Sequence, residues 1–347
     1  MSKLLRRFSY RDPKPEKTCA IVRYGAFGDQ IMASSIMPGL KEQGYHITLF
    51  TGKNGYEIAK TDPNIDKIIL QDDDQVPNEQ LGHFWTNLKK KYTKFINLCE
   101  TVEATWLAMP GRMPQTWPHS VRAKYLDANY LEFAHDMAEV PFPIRQKFYA
   151  TPDEKVWAKK TRAEMNSEFV IMWSLSGSSV HKAWPHLDAI IARIMISYRN
   201  VKFVLVGDSM CQLLECGWEN ESRVIRKSGV WSIRESLAFI EQADLIIGPE
   251  TGVLNAAGML PVPKIVTLSH SSVNNLTKHW INCTSLEPKT SCYPCHMMHY
   301  SFDNCRRDEV TGVAQCQADI GPDEMFNAIL HWMDYKAMRL QRGALNA

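Results

Sequence analysis

A glycine turn and a nearby carboxylate are the first part of this 347-residue chain that could carry chemistry. Gly25 and Gly28 follow an apolar segment at residues 18–23 and precede Asp29. Glycines at a strand-to-helix junction let the backbone approach a ligand closely, and the free N–H groups of the helix start favour an anion. Asp29 is either a helix cap or a carboxylate aimed at a substrate hydroxyl, and spacing alone favours the cap. The turn lacks the full glycine pattern of dinucleotide-binding dehydrogenases.

Two comparable turns occur in the second half of the chain, each after an apolar segment of strand length. Their residues are Ser176, Gly177, Ser178, Ser179 and Lys182 in the first turn, and Glu250, Thr251, Gly252 and Asn255 in the second. Small residues permit close backbone approach, and the hydroxyls and the ammonium are hydrogen-bond donors. We therefore expect an anionic group of a ligand to lie between Lys182, the first turn and the helix that begins near Thr251.

Strand-like and helix-like segments alternate along the chain, which is typical of parallel sheets joined by right-handed crossovers. Strands are predicted at residues 18–23, 46–50, 67–70, 94–98, 169–174, 201–206, 245–247 and 264–268. This pattern predicts an α/β fold with two Rossmann-like domains that face each other across a cleft. We place a disordered-looking start at 1–17, the domains at 18–143 and 150–320, and a last helix at 322–340. Ligands of such sheets bind at the carboxyl ends of the strands.

Composition excludes several classes of protein. The chain is 45% hydrophobic and 22% charged with a formal charge of +2, which is typical of a packed globular protein and demands no nucleic-acid partner. No apolar run is long enough to span a bilayer, and the start lacks the apolar core of an export signal. Nine cysteines are too few for a disulfide scaffold, so we expect reduced thiols or metal ligands in a cytoplasmic protein.

Four motifs, in order, resemble those of the ADP-heptose–lipopolysaccharide heptosyltransferases, glycosyltransferase family nine. Residues 21–31 (IVRYGAFGDQI), which lead to Pro38, resemble the opening strand, turn and helix of the family. Residues 182–185 (KAWP) are similar to its Lys-x-Trp-Pro block, and residues 243–252 (ADLIIGPETG) to its Ala-Asp…Asp-Thr-Gly block. The cysteine-containing tail is similar as well. The sequence departs from the family at Glu250, where aspartate is usual, and at Asn255, near which a histidine is usual.

The resemblance implies an inverting glycosyltransferase with two Rossmann-like domains, the GT-B architecture. Asp29 would be the catalytic base and Lys182 would stabilise the leaving diphosphate. The acceptor-side loop would contain Arg23, Gly25 and Gly28. The nucleotide sugar would contact the second domain at Ser176, Gly177, Ser178, Ser179, Glu250, Thr251, Gly252 and Asn255. Glu250, being acidic, is expected to meet hydroxyls of the sugar or the ribose and not the diphosphate.

The family default is transfer from ADP-heptose to lipopolysaccharide core, with no cofactor besides the donor. A hydroxylated base in DNA is an alternative acceptor, and the type of sugar transferred stays open. A basic run at residues 88–94 is either a solvated face or a contact for an anionic acceptor, and peripheral membrane contact fits the lipid case. Two other functions remain: a sugar-nucleotide epimerase of the same architecture, and a non-catalytic binding protein with a decayed donor site.

Three groups of residues could ligate a metal. Asp72, Asp73 and Asp74 contain an Asp-x-Asp pattern but are better explained as a solvated loop. His181, His186 and His270 could be ligands or acids, although lone histidines beside tryptophan and proline more often pack or face solvent. Cys292, Cys295, Cys305 and Cys316 could hold a structural zinc, but the second pair lacks zinc-ribbon spacing. We expect no metal in the donor motifs.

Overall fold

The computed structural model describes residues 16–71, 76–100, 118–141, 146–297, 299 and 301–345. Within these ranges the first sheet has four parallel strands in the order β3-β2-β1-β4. The strands are β1 (Thr18–Val22), β2 (His46–Thr51), β3 (Lys67–Leu70) and β4 (Lys94–Asn97). β1 lies inside the sheet, with β2 and β3 on one side of it and β4 on the other. The connections therefore change direction between β1 and β4, which makes this position a topological switch point.

The second sheet has six parallel strands in the order β10-β9-β8-β5-β6-β7. The strands are β5 (Phe169–Ser174), β6 (Val201–Val206), β7 (Val224–Arg226), β8 (Leu245–Pro249), β9 (Lys264–Thr267) and β10 (Cys283–Leu286). Its switch point lies between β5 and β8, where the two crossover directions meet. The predicted α/β fold with two Rossmann-like sheets is therefore confirmed.

Helices connect the strands and cover the sheets. In the described ranges they are α1 (Phe27–Ala33), α2 (Met37–Glu42), α3 (Lys53–Ala59), α4 (Leu81–Lys89), α5 (His119–Leu126), α6 (Tyr130–Ala138), α7 (Pro152–Glu164), α8 (Leu187–Ser197), α9 (Ile233–Phe239), α10 (Gly252–Ala257), α11 (Gln315–Ala318) and α12 (Pro322–Leu345). Side chains cap several of them. Asn129 accepts hydrogen bonds at the start of α6, and Thr151 and Glu154 form a capping box at the start of α7.

Alternating side chains of β5 enter the two cores on either face of the second sheet. Val170 and Met172 pack in one core, whereas Ile171 and Trp173 pack in the other. All six residues of this strand are buried. A central parallel strand covered by helices on both faces is expected to have a continuous apolar sequence, as this one does.

Contacts between helices join the two sheets. α1 follows the first strand of the first sheet and packs against α10, which follows β8 of the second. Arg234, on α9, donates to the carbonyl oxygen of Glu57 (2.6 Å) and to Oγ1 of Thr61 (3.0 Å), both near α3. The same guanidinium binds the carboxylate of Glu154 through Nε (2.5 Å) and Nη2 (2.8 Å). One buried side chain thus links helices of both sheets.

Some of the residues named in the sequence analysis lie outside the described ranges. Asp72, Asp73 and Asp74 lie outside the described residues, as do residues 1–15 of the predicted disordered start. The domain boundaries at 18–143 and 150–320 stay a prediction. None of the helices in the described ranges has the length and apolar character needed to cross a bilayer.

Replacing Arg234 with methionine is expected to lower the free energy of unfolding by about 2–4 kcal/mol, because Glu154 loses its buried partner. Arg226→Met is the matched control, since Arg226 and Glu219 are 37% and 47% exposed. This surface pair should contribute less than about 1 kcal/mol. Urea unfolding of both variants measures the difference, and equal losses would contradict the assigned role of Arg234.

Candidate active site

Three loops lie side by side at the carboxyl edge of the second sheet. They follow β5, β8 and β9, which are neighbours in the sheet, so the loop after β8 lies between the other two. These loops carry Lys182, Thr251 and His270, respectively. The first two flank the switch point, where open α/β sheets bind ligands. The two turns predicted from the sequence are thus brought together.

Asp29 lies in the first turn of α1, at the carboxyl edge of the first sheet. Its carboxylate forms an ion pair with the guanidinium of Arg23 and accepts a hydrogen bond from the backbone N–H of Ala26 (2.6 Å). Arg23 is itself buried and donates to the carbonyl oxygen of Leu98 (2.9 Å). The side chain of Asp29 is 14% exposed, beside the exposed Gly25. Asp29 therefore caps the helix start and also presents a carboxylate at the edge of the sheet.

The starts of α1 and α10 meet closely, and a side chain on either of two glycines would crowd the other helix. A Cβ atom on Gly28 would lie 2.8 Å from Nδ2 of Asn255, and one on Gly252 would lie 3.0 Å from Cβ of Phe27. Asn255 is buried in this contact, and its Nδ2 donates to the carbonyl oxygen of Thr251 (3.0 Å). A side chain at position 252 would thus meet Phe27, so Gly252→Val disturbs helix packing as well as any ligand.

Lys182 is buried, whereas the sequence suggested a charge free to face a ligand. Its Nζ donates to the carbonyl oxygen of Glu250 (2.8 Å), and its aliphatic stem covers Gly177. Ser178 is exposed and Ser179 is buried, while Ser176 and Thr251 are half-buried. A hydrogen bond of 3.1 Å between the hydroxyls of Thr251 and Ser174 joins the loop after β8 to the end of β5. Lys182 therefore ties the loop after β5 to the loop after β8.

The carboxylate of Glu250 points into the protein and binds the loop after β9. Oε1 accepts from the backbone N–H groups of Ser269 (2.9 Å) and Ser271 (3.1 Å), and Oε2 accepts from the hydroxyl of Ser269 (2.9 Å). Oε2 also contacts Nδ1 of His270. Burial alone would raise the pKa of the Glu250 carboxyl, but His270, Lys182 and the hydrogen bonds hold this pKa well below its usual range. These contacts differ from the expected orientation toward sugar hydroxyls.

His181 lies next to this carboxylate and is 2% exposed. Its Nε2 is 3.2 Å from Nδ1 of His270, and its Nδ1 has no hydrogen-bond partner among the described residues. Burial, followed by the charges of His270 and Lys182, lowers the pKa of His181 well below its usual value. His181 is therefore a neutral imidazole at neutral pH. His186, by contrast, stacks edge-on against Trp184 and has a lower pKa because of burial.

The four cysteines of the zinc hypothesis lie near one another. Burial, with smaller contributions from Cys292 and Cys305, raises the pKa of Cys295 to about 12. Burial also raises the pKa of Cys316, with smaller effects from the other three thiols. No three of these thiols meet within 4.8 Å in the described part of the chain. Whether they bind zinc stays a prediction.

The basic run lies away from Asp29. The exposed residues Lys89, Lys90 and Lys91 precede β4, at the amino edge of a parallel sheet whose carboxyl edge carries Asp29. The structure therefore favours the solvated-face interpretation of this run. Arg122 is buried and donates to the carbonyl oxygen of Cys295 (2.9 Å).

Sequence reasoning missed the pairing of Glu250 with His270 and that of Arg23 with Asp29. Arg23 and Asp29 are six residues apart across a turn, and either could have faced solvent. Glu250 and His270 belong to loops after adjacent strands, and the sequence alone does not give the order of the strands in the sheet. The weak indication in the sequence was that His181, Glu250 and His270 each follow a predicted strand.

Substitution of Gly28 by alanine should lower the free energy of unfolding by about 1–3 kcal/mol, because the new methyl group overlaps Asn255 and forces α1 from α10. Gly82→Ala is the control, since a Cβ atom there meets nothing within 4 Å and lies in helix α4. That change should be neutral or should stabilise by up to about 1 kcal/mol. Chemical denaturation compares the two, and an unchanged stability for Gly28→Ala would show that the helices can separate freely.

Comparisons with protein-family models and with curated protein sequences give no match. Comparison with solved structures gives matches over most of the chain. The glycosyltransferase of family nine from Veillonella parvula is 14% identical, with a TM-score of 0.65 over 91% of this chain and 97% of that one. The ADP-heptose lipopolysaccharide heptosyltransferase II of E. coli is 15% identical, with a TM-score of 0.61 over 92% and 99% of the two chains.

A third match is TibC of enterotoxigenic E. coli, described as a dodecameric iron-containing heptosyltransferase and solved with ADP-D-β-D-heptose. It is 12% identical, with a TM-score of 0.60 over 94% of this chain and 79% of TibC. At these identities the likeness concerns the fold. The chain therefore has the two-sheet α/β fold of the family-nine heptosyltransferase structures.

Proposed function

We propose that this protein is an inverting glycosyltransferase that moves a sugar from a nucleoside-diphosphate sugar to a hydroxyl group of an acceptor. The observation that carries the proposal is the contact at Gly28 and Gly252. It places Asp29, at the carboxyl edge of the first sheet, close to the turns at the switch point of the second. A cleft between two such edges could hold an acceptor on one side and a nucleotide on the other.

In this mechanism Asp29 is the general base. Its carboxylate takes the proton of the acceptor hydroxyl while the oxygen attacks the anomeric carbon. The bond from that carbon to the diphosphate breaks in the same step, so the configuration at the carbon is inverted and a nucleoside diphosphate leaves. Arg23 and the N–H of Ala26 orient the carboxylate, which leaves part of its surface for the substrate.

The leaving diphosphate needs hydrogen-bond donors and positive charge. An ammonium has three protons, and Lys182 uses one on the carbonyl oxygen of Glu250, so two remain to be donated. Ser178 is exposed on the same loop, and Thr251 lies in the neighbouring loop. A lysine contact that strengthens as the leaving group gains charge lowers the barrier more than it tightens ground-state binding.

The donor and acceptor are proposed from the resemblance and from the matched structures. ADP-heptose is the proposed donor, since two matched proteins are named for it or were solved with it. The proposed acceptor is a hydroxyl of lipopolysaccharide core, with a hydroxylated base in DNA as the alternative.

A two-stage assay tests the proposal. Thermal-shift screening against ADP-, GDP-, UDP-, CMP- and dTDP-sugars identifies the donor, and an ADP-sugar should give the largest shift. The stabilised protein is then incubated with that donor, with and without acceptor. Transfer with inverted configuration supports the proposal. Isomerisation of the donor alone would assign an epimerase, and no binding of any nucleotide sugar would assign a non-catalytic protein.

Asp29→Asn is expected to reduce turnover by about 10²–10⁴-fold while leaving donor affinity unchanged, because it removes a general base. Asp66→Asn is a matched control. Asp66 also binds a cation, Lys41 (2.8 Å), and a backbone N–H, that of Ile47 (2.7 Å), but at the amino edge of the same sheet. Steady-state kinetics of both variants decide. Similar turnover in the two would restrict Asp29 to helix capping.

Lys182→Ala should lower kcat/KM for the sugar nucleotide, because the leaving group loses a hydrogen-bond donor. The corresponding loss of transition-state stabilisation should be about 2–4 kcal/mol. Lys264→Met provides the control, because Lys264 is also buried and also donates to carbonyl oxygens, those of Gly258, Leu260 and Ile281. It begins β9 at the opposite edge, so its loss should reduce stability without changing kcat/KM. If Lys182→Ala has wild-type kinetics, the diphosphate does not bind at Lys182.

A further inference from the structure

Two histidines and a glutamate converge beneath the loops described above. His181, Glu250 and His270 each offer one ligand atom, and these atoms all lie within 4.8 Å of one another. Among the described residues they form the one such group of histidine, cysteine or acidic side chains. The three residues come from loops after β5, β8 and β9, so the order of the sheet brings them together.

The spacing of these atoms suits a single metal ion. Nε2 of His181 is 3.2 Å from Nδ1 of His270. Two nitrogens on one tetrahedral zinc, each about 2.0–2.1 Å from the metal, are about 3.3–3.4 Å apart. Oε2 of Glu250 contacts the same Nδ1 of His270 and supplies the third atom. The separation of the two imidazole nitrogens therefore matches a shared cation, and the carboxylate oxygen lies within 4.8 Å of both nitrogens.

Hydrogen bonds alone satisfy this cluster poorly. Nδ1 of His270 faces both Oε2 of Glu250 and Nε2 of His181, yet it can carry only one proton. If His181 keeps its own proton on Nδ1, that proton is buried without a partner among the described residues. If the proton of His181 is on Nε2 and Nδ1 of His270 donates to Glu250, the two N–H groups point at each other. A cation that accepts lone pairs from Nε2 of His181, Nδ1 of His270 and Oε2 of Glu250 removes the competition between the two ring nitrogens, with the His181 proton on Nδ1.

The surroundings have the features of groups that orient metal ligands. The backbone N–H groups of Ser269 and Ser271 hold Oε1 of Glu250, while the Ser269 hydroxyl holds Oε2 beside Nδ1 of His270. The backbone of His270 is fixed in turn, because its carbonyl oxygen accepts from the N–H of His296 (2.9 Å). Metal-bound carboxylates and histidines are usually oriented by such outer hydrogen bonds.

We propose that His181, Glu250 and His270 bind a divalent first-row transition-metal ion, of the series from Fe²⁺ to Zn²⁺. Imidazole nitrogens and one carboxylate oxygen are ligands that these ions accept, whereas Mg²⁺ and Ca²⁺ prefer oxygen. This site departs from the metal-free expectation for the donor motifs. It stands on side-chain geometry and does not depend on the proposed glycosyl transfer.

A bound ion would also affect the neighbouring loops. It would join the loops after β5, β8 and β9 through one residue of each. A divalent ion with one carboxylate leaves a net positive charge, which lies behind Thr251 and beside Lys182. The ion would thus stiffen the turns at the switch point and add to their positive potential.

Metal analysis tests the site directly. The parent protein is the full chain with Cys292→Ser/Cys295→Ser, so that thiolates of the cysteine cluster cannot account for the metal. The parent is stripped with chelator, loaded with Zn²⁺ or Co²⁺, desalted and measured by mass spectrometry for metal per chain. We expect about one equivalent of either ion, and visible Co²⁺ absorption bands without a thiolate charge-transfer band.

Single substitutions in that parent locate the ion. His181→Gln and His270→Gln should each weaken Zn²⁺ binding at least tenfold. His299→Gln should bind like the parent, because the ring of His299 lies 5.5 Å from that of His181 but is not in the group of three. Parent protein without stoichiometric metal, or equal Zn²⁺ binding in all variants, would overturn the proposal. If the ligand variants fail to fold, the Co²⁺ spectrum of the parent decides, and the absence of its visible bands refutes the site.

Discussion

The buried carboxylate of Glu250 is the constraint on which the arrangement of the site depends. A charge removed from water is stable only when it is paired and hydrogen-bonded. Glu250 meets this requirement with donors from the loop after β9, while its backbone carbonyl receives Lys182 from the loop after β5. Three loops at the switch point are therefore fixed to one another through a single residue. Thr251 and Gly252 follow it directly, so the start of α10 is held in place by the same contacts.

The fixed start of α10 in turn determines how the two sheets meet. Gly252 packs on Phe27, and Asn255 packs on Gly28, so the helix after β8 and the helix after β1 touch at their first turns. The carboxyl edges of the two sheets are consequently brought together at these helix starts, with Asp29 in the first turn of α1. Arg234 strengthens the association from another side by joining α9 to the region of α3. The position of the candidate base relative to the candidate donor turns is thus a consequence of packing between two short helices.

Central strands could be predicted from the sequence because burial on both faces demands continuous apolar residues. The predicted limits of 169–174 and 201–206 match β5 and β6. The edge strands β7 (Val224–Arg226) and β10 (Cys283–Leu286) were missed, since they are short and only partly buried. The helical region after β1 is divided, because Pro38 lacks an N–H and α2 begins separately at Met37. Side-chain directions after a strand end depend on neighbouring loops, which explains why the burial of Lys182 and Glu250 could not be foreseen.

The two departures from the family pattern are related by this geometry. Glu250 is one methylene longer than the aspartate usual at its position, and its carboxylate reaches the backbone of Ser269 and Ser271. Asn255 stands near the position of a usual histidine, yet its amide lies between α1 and α10. An imidazole is present nearby all the same, because His270 enters from the loop after β9 and contacts Glu250. Acid and imidazole thus both lie in the interior, so in the proposed mechanism the donor would be recognised by Lys182 and by the backbone and hydroxyl groups of the two turns.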